Sequence, residues 1–270
     1  MMKTKDLIVL TLLTIALALF ATLAGLTLPG VYRDPSDFVL IWKSNDLVTL
    51  LAALPILILA MVAWICRRSL KSLLSWFAML WFLSYNYAYY VYGAAFNVLY
   101  LVHVAIYTLS LAALILGLAR FPASELAGAL KPKFGRGFVI GEMLFVAVGL
   151  TAIYAMQSLS FVIDGTLPPI IAASGHVTSV VFSIDISMVV LFFVLGAVLL
   201  AKRSPWGVLI GFIANLKGAV YMAVLVVASL RTNPAETPIW AVLGLLSLAS
   251  FALLWAGIRD RSLALPGEPS

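Results

Sequence analysis

The fold is decided by residues 178–228, TSVVFSIDISMVVLFFVLGAVLLAKRSPWGVLIGFIANLKGAVYMAVLVVA. Two apolar runs flank a short basic turn, Lys202-Arg203-Ser204-Pro205. A helix that crosses hydrocarbon needs roughly 20 apolar residues, and each run is long enough. Ser204-Pro205 reads as an N-cap followed by proline at the first helical position. The first run carries one acid, Asp185, and the second one base, Lys217. The stretch is therefore a hairpin of two membrane helices with one charge in each.

The rest of the chain has the same character. Of 270 residues, 64% are hydrophobic and 10% charged, and the mean hydropathy is +1.12. Soluble domains average about a quarter charged residues and under half apolar. Lipid must solvate most of this chain, so the bilayer is its first partner. The net charge of +6 carries no nucleic-acid signal, because the bases fall in small groups between apolar runs and form no stripe. The single cysteine, Cys66, excludes an intrachain disulfide. Before Arg67-Arg68 it reads as a small buried apolar residue in preference to a palmitoylation site. The run from Leu7 to Leu28, after Lys3 and Lys5, outlasts the roughly 7–15 residues of a signal-peptide core. Ala21-Thr22-Leu23-Ala24 is a poor cleavage site, so this run is read as an uncleaved first span.

Eight segments meet the length requirement: 7–29, 46–66, 72–93, 97–119, 138–158, 178–201, 205–229 and 238–258. The expected fold is an all-α polytopic bundle, a single membrane domain over 1–270. The longest connections, near 30–45, 120–137 and 159–177, hold no soluble domain. With a cytoplasmic N-terminus, Lys3, Lys5, Arg67, Arg68, Lys71, Arg120, Lys131, Lys133, Arg136, Lys202, Arg203, Arg259 and Arg261 lie inside. Only Arg33, Lys43 and Arg231 lie outside. The positive-inside rule then puts both termini in the cytoplasm and the chain in the plasma (inner) membrane. Trp42 and Trp240 at outer ends, and Trp64, Trp76, Trp206 and Trp255 near inner ends, read as interfacial rings.

Local signals add detail. Pro55 predicts a kink in the second span, and Thr237-Pro238 a second capped helix start. Gly207, Gly211, Ala214 and Gly218 give the seventh span a small-residue face for close helix contact, within the chain or in a homo- or hetero-oligomer. The loop 159–177, with Asp164-Gly165 and Pro168-Pro169, is expected to fold over the bundle mouth. The loop 120–137 is expected to hold a short helix, Ala123 to Leu130, at the anionic inner surface. A faint repeat is visible. Asp46 opens a span ending at Arg67-Arg68, and Asp185 lies in one ending at Lys202-Arg203. The two spacings differ by about one helical turn, which suggests parallel halves, 1–119 and 138–258.

Charge inside hydrocarbon costs about 2.5–3.5 kcal/mol per group on insertion scales, which makes function its default reading. Asp185 falls just outward of the centre of its span and Lys217 near the centre of the next. A lysine stem reaching outward brings the two level. They are read as a charge pair that either works or holds the two spans in register. Polar residues gather in the same outer half: Tyr85, Asn86, Tyr87, Tyr89, Tyr90 and Tyr92, then Asn97, Tyr100, His103 and Tyr107, then Tyr221. An aromatic belt accounts for several of them; a polar vestibule accounts for the deeper ones. The candidate solute or ion pathway is Asp185, Lys217, Tyr221, Asn86, Tyr85, Asn97 and His103. Asp46, at the start of its span, reads as a helix-terminus cap. His103 is a satisfied polar residue or a proton relay. Glu142 either reaches the inner interface or is an inner counterpart on a conduction path.

Other chemistries lack their motifs. His103 and His176 have no ligand spacing, and no second cysteine exists, so a zinc, haem or iron–sulfur site has no support. There is no phosphate loop, G-x-S-x-G or H-E-x-x-H. No cofactor is expected, and no nucleophile–base constellation points to an enzyme. A retinal Schiff base on Lys217 lacks a surrounding rhodopsin-like motif.

Two groups of residues carry a resemblance. One is Asn45-Asp46-Leu47-Val48-Thr49-Leu50 with Tyr85-Asn86-Tyr87 and Ala95-Phe96-Asn97. The other is Asp185 with Pro205-Trp206-Gly207 and Leu216-Lys217-Gly218. Together they resemble a family of uncharacterised prokaryotic polytopic membrane proteins. The resemblance implies a shared helical fold over most of the chain and no particular activity. The sequence thus leads to a transporter or channel-like protein for a small solute or ion. The alternative is a membrane scaffold or sensor in which Asp185 and Lys217 are structural.

Overall fold

The structure, a computed structural model, describes residues 4–131 and 135–262. Lys3 and Lys133 of the charge count lie outside the described residues. Helices account for the architecture, and no strand forms among the described residues beyond two isolated bridges. In chain order the helices are α1 (Thr4–Thr27), α2 (Ser36–Val48), α3 (Leu54–Arg67), α4 (Leu70–Tyr92), α5 (Tyr100–Leu118) and α6 (Ala123–Ala129). They continue as α7 (Arg136–Asp164), α8 (Pro169–Ser174), α9 (Val180–Asp185), α10 (Leu191–Ala201), α11 (Pro205–Thr232) and α12 (Thr237–Gly257). A π-helical turn, Thr49–Ala53, joins α2 to α3, and another, Ile186–Val190, joins α9 to α10.

Seven helices among the described residues are long and apolar enough to cross a membrane: α1, α2–α3, α5, α7, α9–α10, α11 and α12 with the turn before it. The expected membrane-embedded α-helical bundle is therefore present. The long helix α4 is not among the seven, although 72–93 reads as a span. Its tyrosines, asparagine and serines lower its hydropathy, and its surroundings explain why it tolerates them. Every residue from Leu73 to Tyr90 is buried, on all sides of the helix. It packs against α3, α5, α9 and α11. A helix enclosed by protein meets partners for polar groups that lipid cannot supply.

The second span begins earlier than the sequence suggests. Helix runs from Ser36 through Arg67, so Asp46 lies within it. Asp37, Lys43, Ser44, Asn45 and Asp46 lower the local hydropathy, yet Ser44, Asn45 and Asp46 are buried as α2 packs on α1 and α11. Pro55 does disturb this helix. Lacking an N–H to close the ordinary ladder, it follows a π turn that widens the backbone by one residue. The acid of each hairpin, Asp46 and Asp185, stands just before a π turn. The first arm of each hairpin also ends alike, at an arginine in left-handed conformation, Arg68 at φ 53° and Arg203 at φ 58°. Each arginine is followed by an extended serine, Ser69 or Ser204. Thr237, expected to cap, is instead helical and continues from a 3₁₀ turn, Pro234–Glu236.

The tryptophans divide by depth of packing. Trp64 and Trp76 are fully buried, with ring centroids 5.5 Å apart, and the Trp76 indole donates to the Thr11 hydroxyl at 3.1 Å. Trp42 is buried too. These three are core residues, not interfacial rings, because α2, α3 and α4 turn them toward other helices. Trp206 and Trp255 are exposed. Cys66 is also exposed, contrary to the expected burial.

The basic turns gather at one end of the bundle. There a strap, residues 258–262, ties distant elements together. Asp260 accepts from the Ser69 hydroxyl at 2.8 Å and from the Lys71 backbone N–H. The Arg259 N–H reaches the Ala129 carbonyl at 2.8 Å, and Arg261 pairs with Glu125 at 3.1 Å. The short helix α6 forms where expected, with Leu126 and Ala129 buried. At the opposite end the segment after α7 folds back. Gly165 and Gly175 take left-handed conformations, and Ile171 and His176 line a narrow cleft together with Trp42, Tyr89 and Gly93.

Candidate functional site

Helix α4 presents tyrosines on two faces, and each face meets a buried carboxylate. Tyr85 and Tyr89, one turn apart, face Asp185 at the end of α9. The Tyr85 hydroxyl donates to Asp185 Oδ1 at 2.5 Å and the Tyr89 hydroxyl donates to the same atom at 2.7 Å. Tyr154, from α7, donates to Asp185 Oδ2. Charge-assisted hydrogen bonds of this kind are about twice as strong as neutral ones. Asp185 is 8% exposed, so its stability rests on these three phenols.

Lys217 and Asp185 are not in direct contact. No ion pair within 4 Å joins them among the described residues. Tyr85 stands between. The Lys217 ammonium sits 3.0 Å from the centroid of the Tyr85 ring and 5.1 Å from that of Tyr221. The same ring whose hydroxyl serves Asp185 thus offers its electron-rich face to the lysine. Cation–π attraction is worth about 2 kcal/mol or more when the cation is desolvated, and Lys217 is 3% exposed. Tyr221 completes the cage, with centroids 4.8 Å from Tyr85 and 6.3 Å from Tyr89.

The other face of α4 serves Asp46. Tyr90 donates its hydroxyl to Asp46 Oδ1 at 2.9 Å, a proton it shares with the Trp42 carbonyl at 3.0 Å. Tyr32, from the turn after α1, donates to Asp46 Oδ2 at 2.5 Å. Burial, followed by the neighbouring Asp46 carboxylate, pushes the Tyr32 hydroxyl well above its usual range, so it stays a neutral donor. Asp46 is therefore no helix cap. It is 1% exposed and held in mid-helix. Gly25 makes room for it: a Cβ there would lie 2.1 Å from Asp46 Oδ2 and 2.4 Å from the Tyr32 hydroxyl. Tyr90→Phe is expected to destabilise the protein by about 1–2 kcal/mol, because Asp46 keeps only one donor. Chemical unfolding in micelles reads this, and an unchanged midpoint would refute it.

The remaining sequence candidates separate. His103 is fully buried, with its ring 4.7 Å from Tyr90 and 5.7 Å from Tyr87, so it belongs to the Asp46 side. Neither ring nitrogen has a hydrogen-bond partner among the described residues. Asn86 donates to the Thr49 hydroxyl at 3.3 Å, at the first π turn. Asn97 joins neither cluster. It closes a local turn before α5, accepting from the Leu99 N–H at 2.9 Å and donating to the Ala95 carbonyl at 3.0 Å. Tyr92 is exposed against Tyr107, as a belt residue is. Tyr154 went unsuspected in the sequence. Its signal was the single tyrosine of a long membrane helix.

A narrow cleft leads from the end opposite the basic turns. It is bounded by Phe38 and Trp42 of α2, Tyr89 of α4, Gly93 just after α4, and Ile171 and His176 beyond α7. Tyr89 in turn bonds Asp185. The small-residue face of α11 lies elsewhere and is filled within the chain. Gly207 meets Leu199 and Leu200, Gly211 meets Leu200 and Leu254, and Gly218 meets Ser247.

Fold and site together define a polytopic helical membrane protein with two tyrosine-held carboxylates and one lysine in its interior. Compared with protein-family models, curated proteins and solved structures, the chain matches none.

Proposed function

We propose that the protein moves a small solute or ion across the plasma (inner) membrane, with Asp185, Tyr85 and Lys217 as its working element. The observation that carries this reading is the lysine held on a tyrosine face, out of reach of the acid that the same tyrosine binds. A static peg would place the two charges in direct contact, where their attraction is greatest. Here a turn of the Tyr85 ring would let them meet, or admit a cation or anion between them. The cleft that Tyr89 lines gives the solute its approach.

In this reading α4 is an eighth, central span, both termini are cytoplasmic, and the cleft opens outward. The charge count of the loops supports that orientation. The matched left-handed arginines and π turns support two parallel halves, with α4 and α11 as their inner helices. Flux in reconstituted vesicles tests the proposal. Asp185→Asn and Lys217→Met are each expected to abolish transport of the solute that the wild type carries. Unchanged flux in both variants would sink it.

One observation favours a scaffold or sensor role instead. Asp185 has three donors and so is satisfied as it stands. On that reading the Asp185→Lys, Lys217→Asp exchange folds and works normally.

A further inference from the structure

A third buried carboxylate lies apart from both tyrosine clusters. Glu142 sits on α7, about 9 Å from the start of the helix by helical rise, and is 5% exposed. Its Oε1 accepts one hydrogen bond, from the Ser247 hydroxyl of α12 at 3.2 Å. Its Oε2 is buried and has no partner. No lysine or arginine approaches it within 4 Å among the described residues. Lys217 is turned to Tyr85, and the side chains facing Glu142 from α10, α11 and α12 are uncharged. An unpaired carboxylate in such surroundings is costly unless a cation neutralises it.

The neighbouring side chains are oxygen donors held free. Ser250, one turn along α12 from Ser247, is fully buried beside Glu142, its hydroxyl turned toward the carboxylate without closing a well-formed hydrogen bond. That is unusual in this bundle. Thr11, Ser84, Thr151 and Ser158 all return their hydroxyls to the carbonyl four residues back. Asn215, on α11, is also fully buried. Its amide N–H bonds the Gly211 carbonyl at 2.9 Å, which leaves its Oδ1 free. Gly211 and Gly218 bracket Asn215 on one face of α11. A Cβ on Gly211 would lie 3.7 Å from the sulfur of Met143, next to Glu142, and one on Gly218 3.3 Å from the Ser247 hydroxyl. The same face thus meets both elements that carry the carboxylate and the serines.

We infer that Glu142, Ser247, Ser250 and Asn215 form a binding site for a desolvated monovalent cation, a sodium ion or a proton. One carboxylate and neutral hydroxyl and amide oxygens match a single positive charge and hard-oxygen coordination. The site stands independently of Asp185 and Lys217.

The test uses the full chain purified in detergent. Thermal unfolding is followed in sodium, potassium and choline chloride at matched ionic strength. Infrared difference spectra between wild type and Glu142→Gln are recorded across mildly acid to mildly alkaline pH. If the ion is sodium, the wild-type midpoint rises with sodium and not with choline. Glu142→Gln abolishes that rise. If it is a proton, the midpoint ignores sodium and a carboxylic-acid carbonyl band appears in the wild type and vanishes in Glu142→Gln. Ser250→Ala removes a hydroxyl that closes no well-formed hydrogen bond, so a purely structural site predicts an unchanged response to sodium. Cation binding predicts a weakened sodium response. A wild type that ignores sodium and keeps Glu142 ionised throughout would overturn the inference. So would a sodium effect that Ser250→Ala and Glu142→Gln both leave intact. Should Glu142→Gln fail to fold, Glu142→Asp takes its place, with a displaced band or weakened sodium response expected.

Discussion

Asp185→Ala is expected to destabilise the folded protein by about 3–5 kcal/mol, the usual cost of removing one partner from a buried charged network. Tyr85, Tyr89 and Tyr154 would all lose their acceptor at once. Each orphaned buried donor costs about 1–3 kcal/mol. The sum is not reached, because Tyr85 and Tyr89 lie 3.2 Å apart through their hydroxyls and can satisfy one another. Lys217 would also lose the negative charge across the Tyr85 ring. Asp185→Asn keeps a carbonyl oxygen for one or two phenols and should cost less. Adding Lys217→Met to Asp185→Ala should recover part of the loss, since the lone ammonium goes with its counterion. A double-mutant cycle of denaturant midpoints in micelles measures the coupling. Equal midpoints for wild type and Asp185→Ala would refute the expectation.

Gly207→Val is expected to prevent the α10–α11 hairpin from closing, with a loss of about 3 kcal/mol or more. A Cβ at Gly207 would lie 2.3 Å from the Leu200 nitrogen and 2.4 Å from the Leu199 carbonyl carbon. Those are backbone atoms of the preceding helix and cannot rotate away. Gly211→Ala provides the contrast, since its nearest neighbour is the Leu200 side-chain end at 3.2 Å. Its cost should stay under about 1.5 kcal/mol. Yield of folded monomer by gel filtration, together with thermal midpoints, separates the two. A Gly207→Val protein as stable as Gly211→Ala would show that the hairpin opens at little cost.

The bundle was legible because apolar runs report solvent. The quoted hairpin shows this best: Pro205 begins α11, as its position beside Ser204 predicts. The beginning of the second span was not legible. Hydropathy reads Lys43-Ser44-Asn45 as the end of a loop, whereas tertiary contact with α1 and α11 makes it helix. For the same reason Asp46 passed for a cap. Its donors, Tyr32 and Tyr90, lie 14 and 44 residues away, beyond any local pattern. Asp185 and Lys217 stood out because each is a single charge in a long apolar run. Tyr85 as the wedge between them could not be read, since which face of α4 meets α9 depends on packing. Helical spacing alone puts Trp81, Tyr85, Tyr89 and Tyr92 on one face of α4 and leaves Tyr90 off it. Which carboxylate each face meets, Asp185 or Asp46, depends on the neighbours of the helix.

The strap at the basic end sets a timetable for biosynthesis. Asp260 caps the start of α4 from 191 residues beyond Ser69. At roughly 5–20 residues per second of translation, that cap arrives on the order of 10–40 s after α4 has left the ribosome. Through that interval the most enclosed helix of the bundle has no carboxylate at its first turn. A translation stop between Gly257 and Asp260 leaves a full set of long helices whose central member was never fastened.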